Sequence, residues 1–243
     1  MTGQVCRLST MQRLPVIDNS EYFNHAHTMS NDSEFKTNDI TVYYHPSLDG
    51  GGTDFGRRYV PVLKNIYKNK KFNSCFEWCS GPGFIGFDIL SSGVCDQLYL
   101  ADIYGPAMDA VSQTIDGLPA HYQNKVHRAK IKGIKDLPKD WKFDLVVSNP
   151  PHWNPPAIKT MITELRWCPD RIGDDLGWQI HKEFFDNIGP HLNDDAVILL
   201  QEQSYASGPE MFKSMIEDAG LTITECYWEP TNDAFYYLEV KKK

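Results

Sequence analysis

From Phe72 onward, short runs rich in β-branched and aromatic residues alternate with segments of helical periodicity, and this alternation constrains the fold more than any other feature. It is the sequence form of βαβ units. The chain is therefore predicted to build a mostly parallel sheet with helices on both faces. Strand-like segments 72–78, 97–101, 125–127, 143–147 and 196–200 are interleaved with helix-like segments 84–92, 106–117 and 176–188. A helix over 209–219 ends at Gly220, and the strand-like runs 221–227 and 234–240 predict a closing antiparallel hairpin at one sheet edge.

Upstream the pattern is weaker. Residues 1–39 are polar and aperiodic and read as an irregular N-terminal extension, with 40–243 as the folded domain. His25 and His27 lie in that extension. Two imidazoles without a third ligand nearby do not make a metal site, so they read as loop histidines and no metal is expected. Residues 40–44 predict a strand and 45–53, with Gly50-Gly51-Gly52, a loop; Asp54 then suits the cap of a helix reaching about 69.

Composition excludes several classes. With 41% hydrophobic, 12% aromatic and 23% charged residues the chain has the material for a sizeable core, so disorder is not expected. Its 24 Lys and Arg against 32 Asp and Glu give a net charge of −8, which argues against a sequence-independent nucleic-acid binder. Arg57, Arg58, Lys64, Lys68, Lys70 and Lys71 nevertheless form a local basic stretch, read as a solvated helix face. No run approaches the roughly 18 apolar residues of a membrane span, and the N-terminus lacks the apolar core of a signal peptide. The six cysteines include no Cys-x-x-Cys pair and suit reduced thiols of a cytoplasmic protein.

Two segments carry chemistry. Between the first core strand and helix runs Glu77-Trp78-Cys79-Ser80-Gly81-Pro82-Gly83-Phe84-Ile85-Gly86, which contains Gly-x-Gly-x-x-Gly. Glycines there let the backbone turn and approach a ligand closely, next to the unpaired N–H groups that begin a helix. A dinucleotide dehydrogenase, an S-adenosylmethionine (SAM) enzyme and a plain tight turn all fit that loop. Asp102, at the end of the second strand, is placed to accept hydrogen bonds from both ribose hydroxyls of an adenosine, or else to cap the next helix. Glu77 would repel a pyrophosphate and suits a cationic ligand, or else it braces the loop.

The second segment is Phe143-Asp144-Leu145-Val146-Val147-Ser148-Asn149-Pro150-Pro151-His152-Trp153. A buried strand ends in an amide, two prolines and two rings. The Asn149 side-chain oxygen and the Pro150 carbonyl can each accept one hydrogen of an –NH2 group, which would aim the nitrogen lone pair at an electrophilic methyl. Pro151 stiffens the turn, and His152 and Trp153 offer flat surfaces for a planar acceptor.

In this order, Glu77-x-x-x-Gly81-x-Gly83, Asp102 and Asn149-Pro150-Pro151-His152 resemble the class I SAM-dependent methyltransferases that carry an Asn-Pro-Pro-aromatic motif. The likeness covers about residues 40–240. It is similar in layout to the glutamine amide methyltransferases and to the adenine and guanine amino-group methyltransferases of RNA and DNA. The resemblance implies a Rossmann-like, doubly wound α/β fold with a seven-stranded, mostly parallel sheet whose last strand is antiparallel. It implies SAM against Glu77, Cys79, Ser80, Gly81, Gly83, Gly86, Asp102 and Ile103. It further implies an acceptor held by Asn149, Pro150, Pro151 and His152, with Trp153 at the substrate. Asp174-Asp175-Leu176-Gly177 and the strand ending Gln201-Glu202 look like the glutamine-methylating branch, so a protein acceptor is expected first and RNA or a small molecule second. His152 departs from the usual Tyr, Phe or Trp of the motif, and Arg128-Ala129-Lys130-Ile131 offers no acidic residue for the cofactor adenine. An NAD(P)-dependent oxidoreductase or a non-catalytic SAM-binding module are the competing readings.

Overall fold

The computed structural model describes residues 11–14, 33–50, 52–68, 70–154 and 175–243. His25, His27, Cys6, Cys168 and Asp174 lie outside them. In chain order the strands are β1 (Gln12–Arg13), β2 (Ser33–Lys36), β3 (Thr41–Tyr44), β4 (Phe72–Trp78), β5 (Cys95–Asp102), β6 (Val126–Lys130), β7 (Phe143–Ser148), β8 (Leu192–Gln203), β9 (Leu221–Trp228) and β10 (Phe235–Lys242). The helices are α1 (Gly52–Phe55), α2 (Tyr59–Tyr67), α3 (Phe84–Ser91), α4 (Gly105–Asp116), α5 (Gln179–Ile188) and α6 (Pro209–Asp218).

The chain divides into two compact units, one of Pro15–Lys132 with Phe143–Asn149, the other of Met1–Leu14, Gly133–Lys142 and Pro150–Lys243. In the first, β7, β4, β5 and β6 lie side by side and all pair in parallel. The crossovers through α3 and α4 return the chain to the same sheet end between β4, β5 and β6, which is what parallel pairing requires. β7 has Leu145, Val146 and Val147 fully buried, the mark of an inner parallel strand covered on both faces. Phe76 and Phe143 stack with centroids 4.5 Å apart beneath it. β2 and β3 form a separate antiparallel ribbon.

In the second unit the order is β1, β9, β10, β8. β10 is antiparallel to both β8 and β9, and β1 runs parallel to β9. The last strand is thus inserted between two others. That insertion is what the methyltransferase resemblance implies, and β9 pairs antiparallel with β10 as the hairpin pattern predicts.

Several local expectations are corrected. The segment read as irregular contains Gln12–Arg13 and Ser33–Lys36 as strands, and the first pairs in parallel with β9. These strands are two and four residues long and polar, so no alternation marks them. Asp54 lies inside α1 and pairs with Arg58 at 2.6 Å, and a 3₁₀ turn over Gly56–Arg58 separates α1 from α2. Leu176–Trp178 is a 3₁₀ turn and no part of α5, because Gly177 and Trp178 both take positive φ. Lys241 and Lys242 continue β10 past the strand-like run 234–240. Cys226 is fully buried on β9. Cys75, Cys79 and Cys95 carry free thiols. Among the described residues no helix is long and apolar enough to cross a membrane.

Candidate active site

β4 delivers its last residues into the glycine loop, and the loop is held open by left-handed backbone at Cys79 (φ 52°), Gly81 (φ 50°) and Gly83 (φ 89°). Ser80, buried, donates its N–H to the Ala101 carbonyl at 3.1 Å, and Gly83 donates to Ser80 at 2.8 Å. The loop is therefore stitched to β5 on one side and leads into α3 on the other. A Cβ on Gly86 would come within 2.7 Å of Glu77 Oε2, so a side chain there would push α3 off the sheet. A Cβ on Gly81 would meet nothing within 4 Å, so the space over this glycine is open.

Asp102 ends β5 beside that space. Its Oδ2 accepts the Gly81 N–H at 2.8 Å and its Oδ1 accepts the Tyr104 N–H at 2.8 Å. It does not cap α4, whose N-cap is Tyr104 with no side-chain bond. Burial raises the Asp102 pKa, opposed by the N–H groups of Tyr104, Gly81 and Ile103. Ile103 and Tyr104 are 64% and 51% exposed, an apolar flank next to the carboxylate.

Glu77 is turned into the loop. Its Oε2 accepts the Gly86 N–H at 2.7 Å, so of its two expected roles the bracing one is what the geometry displays. Burial raises its pKa to about 8, opposed by the N–H groups of Gly86 and Ile85 and reinforced by Asp102. The folded chain thus holds a proton there that the unfolded chain releases above about pH 4.5. Stability is then lost between about pH 4.5 and 8 as the pH rises. Glu77→Gln, which keeps an acceptor for Gly86, is expected to stabilise the fold by about 2 kcal/mol or more at pH 8 and by little below pH 4.5. Urea midpoints across that range check it; a variant less stable than wild type at pH 8 contradicts the assignment.

β7 brings Asn149 to the same loop. Glu77 is the register partner of Val147, so Asn149 leaves the sheet level with Cys79. Ser148 fixes the exit by donating its hydroxyl to the Trp78 carbonyl, while the buried Tyr59 hydroxyl donates to the Ser148 carbonyl. The sequence analysis assigned no role to Tyr59 or Ser148; a polar group at the tip of an apolar strand was the available signal.

Pro150 is buried, Pro151 and Trp153 half-buried. The Trp153 ring lies 6.3 Å from that of Tyr205, which is 51% exposed. His152 is not the open flat surface expected of it. It is only 9% exposed, Nδ1 stands 3.3 Å from Glu202 Oε2, and its ring meets Phe235 edge-on. Glu202 in turn bonds His181, and His181 bonds Asp175, all three fully buried. Burial alone would lower the His181 pKa, but the Glu202 and Asp175 carboxylates outweigh it and hold it at about 9. Burial likewise works against ionised Glu202 and Asp175, and the His181 cation outweighs it, keeping both below the usual carboxylate range. His181 sits amid helix 179–188 with no motif around it, so sequence reading missed it.

The basic stretch is largely occupied locally. Arg58 pairs with Asp54, Lys71 pairs with Asp96 at 2.6 Å, and Arg57 and Lys70 lie over the rings of Phe35 and Phe72. A surface cleft of about 430 Å³ lies along α4 and borders Tyr104, but it contains none of the residues singled out in the sequence. The left-handed loop with its two perturbed carboxylates is the better site, since charge and backbone donors converge there.

No protein-family model matches the chain. Over 142 residues, 56% of this chain, it is 25% identical to the ribosomal RNA small subunit methyltransferase C of Haemophilus influenzae (strain 86-028NP), of whose length it spans 40%. Among solved structures, the glycopeptide N-methyltransferase MtfA complexed with SAM matches with a TM-score of 0.55 and 10% identity over 79% of this chain and 94% of that one. An S-adenosylmethionine-dependent methyltransferase from Clostridium acetobutylicum ATCC 824 matches with a TM-score of 0.53 and 12% identity over 80% and 92%. At such identities the likeness establishes the fold, and the fold is that of the class I SAM-dependent methyltransferases.

Proposed function

We propose that the protein is a SAM-dependent N-methyltransferase acting on a planar amide or amino nitrogen. The observation that carries this reading is the register of β7 on β4, which brings Asn149 out of the sheet level with the start of the glycine loop. Asn149 and the loop thus meet at the carboxyl ends of adjacent parallel strands, where open α/β sheets bind ligands.

The residues present suit SAM. Gly81 leaves room above it, Asp102 retains lone pairs for ribose hydroxyls, and exposed Ile103 and Tyr104 offer an apolar face to a base. Cys79, Ser80 and Gly83 set the loop, and Glu77 and Gly86 lock it to α3. When bound, SAM supplies an electrophilic methyl group on a sulfonium sulfur. The protein's part is orientation: Asn149 Oδ1 and the Pro150 carbonyl accept the two acceptor hydrogens, Pro151 holds the turn rigid, and Trp153 gives a ring face. No strong base is required, because the nitrogen becomes acidic as it gains the methyl.

A protein carboxamide is the first acceptor to test, from the acidic composition and the likeness of Asp174-Asp175-Leu176-Gly177 and Gln201-Glu202 to the glutamine-methylating branch. The similarity to a ribosomal RNA methyltransferase favours an RNA amino group as the second. Incubation with methyl-tritiated SAM and separate protein, RNA, DNA and metabolite fractions decides between them; label in none removes the catalytic reading. Thermal-shift titration with SAM and NAD separates this reading from an oxidoreductase. Asp102→Ala is expected to weaken SAM at least about tenfold by calorimetry, from the loss of hydrogen bonds to a charged group. Unchanged affinity would place the ribose elsewhere.

A further inference from the structure

Beyond the Asn149-Pro150-Pro151 turn, the chain is anchored by a line of buried ionisable groups. His152 Nδ1 lies 3.3 Å from Glu202 Oε2, Glu202 Oε1 lies 2.9 Å from His181 Nε2, and His181 Nδ1 lies 2.6 Å from Asp175 Oδ2. Asp175 is itself fixed at the start of α5, accepting the N–H groups of Ile180 at 2.8 Å and His181 at 3.0 Å. Two backbone donors tie the same stretch down: Asp175 N–H bonds the Trp153 carbonyl at 2.6 Å, and Gly177 N–H bonds Asn154 Oδ1 at 3.2 Å. His181 is clamped from the side by Phe212, stacked at 4.5 Å, and by Trp178, edge-on at 5.5 Å. Among the described residues no three such groups are arranged to hold a metal ion; these four engage one another in sequence.

The direction of each hydrogen is set by the partners. His181 faces a carboxylate at both ring nitrogens, so both donate and the ring is a cation. Glu202, ionised against it, can only accept. The hydrogen between Glu202 and His152 therefore sits on His152 Nδ1.

We propose that Glu202 is a positioning residue of the transfer reaction: it fixes the His152 ring, beside the Asn-Pro-Pro turn, in the Nδ1–H tautomer, and the buried His181 and Asp175 hold Glu202 in place to do so. The inference rests on the methyltransferase reading above. It accounts for histidine at a motif position where Tyr, Phe or Trp is usual. Those rings have no tautomers to choose between, whereas a buried imidazole must also have its protons assigned. The line from α5 to β8 assigns them.

Glu202→Gln tests this with a readout that packing does not move. The glutamine has one acceptor oxygen, which the His181 cation claims, and its amide then faces His152 Nδ1 as a donor. His152 must accept there, and its hydrogen moves to Nε2. In ¹⁵N-histidine NMR the wild type is expected to show Nδ1–H for His152 and the variant Nε2–H. Turnover in the labelled-methyl assay should fall about a hundredfold, the loss that misplacement at a reacting centre brings, with SAM affinity unchanged. Wild-type turnover in Glu202→Gln, or an Nε2–H His152 in the wild type, overturns the proposal. Should that variant not fold, His152→Asn keeps an amide N–H near the Nδ1 position and so leaves Glu202 partnered; it is expected to unfold like wild type and to lose turnover similarly. Undiminished turnover in it also overturns the proposal. Wild-type protein that binds SAM and shows the Nδ1–H tautomer but labels no fraction overturns the methyltransferase reading instead, which keeps the two failures distinct.

Discussion

Asn149→Ala is expected to lower turnover on the order of a hundred- to a thousandfold, the usual loss when one aligned polar group is removed from a reacting centre, while SAM affinity stays the same. The reason lies in what Asn149 is proposed to touch. Its side chain is assigned to the acceptor nitrogen, whereas the cofactor is assigned to Gly81 and Asp102, so chemistry and cofactor binding separate in the one variant. The backbone at this point does not depend on the amide. Ser148 is held by its own hydroxyl on Trp78 and by Tyr59 on its carbonyl, and the rings of Pro150 and Pro151 restrict the backbone on the other side of Asn149. A folded variant is therefore expected, and single-turnover transfer with calorimetric SAM binding measures both quantities. Equal loss of SAM binding and turnover would move Asn149 to the cofactor; unchanged turnover would remove it from the reaction.

His181→Leu is expected to cost about 3–5 kcal/mol of stability near pH 6, the range found when one partner of a buried ion pair is removed. Leucine roughly fills the space against Phe212 and Trp178, so the loss is electrostatic: Asp175 and Glu202 remain buried without their cation. The pH dependence has a definite sign. The folded pKa of His181 is raised to about 9, so its contribution is complete below its ordinary value near 6.5 and is lost as the pH rises through 9. Asp175 and Glu202 are lowered, so their contribution is present above their ordinary values and lost as the pH falls through the lowered ones. The gap between wild type and variant in urea denaturation should thus narrow from pH 6 to above pH 9. A gap that widens over that interval would mean that His181 is neutral in the folded protein.

Glu77 and His181 show how differently a sequence displays its buried charges. Glu77 stands in a recognisable loop, so its presence near a ligand site was readable, but which way the carboxylate turned was not. Only the approach of α3, with Gly86 too close to Glu77 for a side chain, makes it a brace. His181 stands in no motif, and its partners lie six and twenty-one positions away along the chain. Their meeting depends on how α5 packs beside β8, which no local pattern encodes. His152 is intermediate: the motif announced the position, while burial against Glu202 and Phe235 changed its role from an exposed stacking surface to an anchored ring.

By itself the sequence determined the alternation of strands and helices, the glycine turn and the order of Glu77, Asp102 and Asn149 along the chain. Those are local matters, set by periodicity of 2 or 3.6 residues and by the few residue types that tolerate a sharp turn. Tertiary structure alone decided that the polar Gln12–Arg13 adds a strand and that four ionisable residues far apart in the chain bond one another. The physical reason is the range of the forces. Propensity and patterning act over neighbours, whereas strand pairing and buried charge are settled by desolvation and partner geometry, which exist only once the chain has closed on itself.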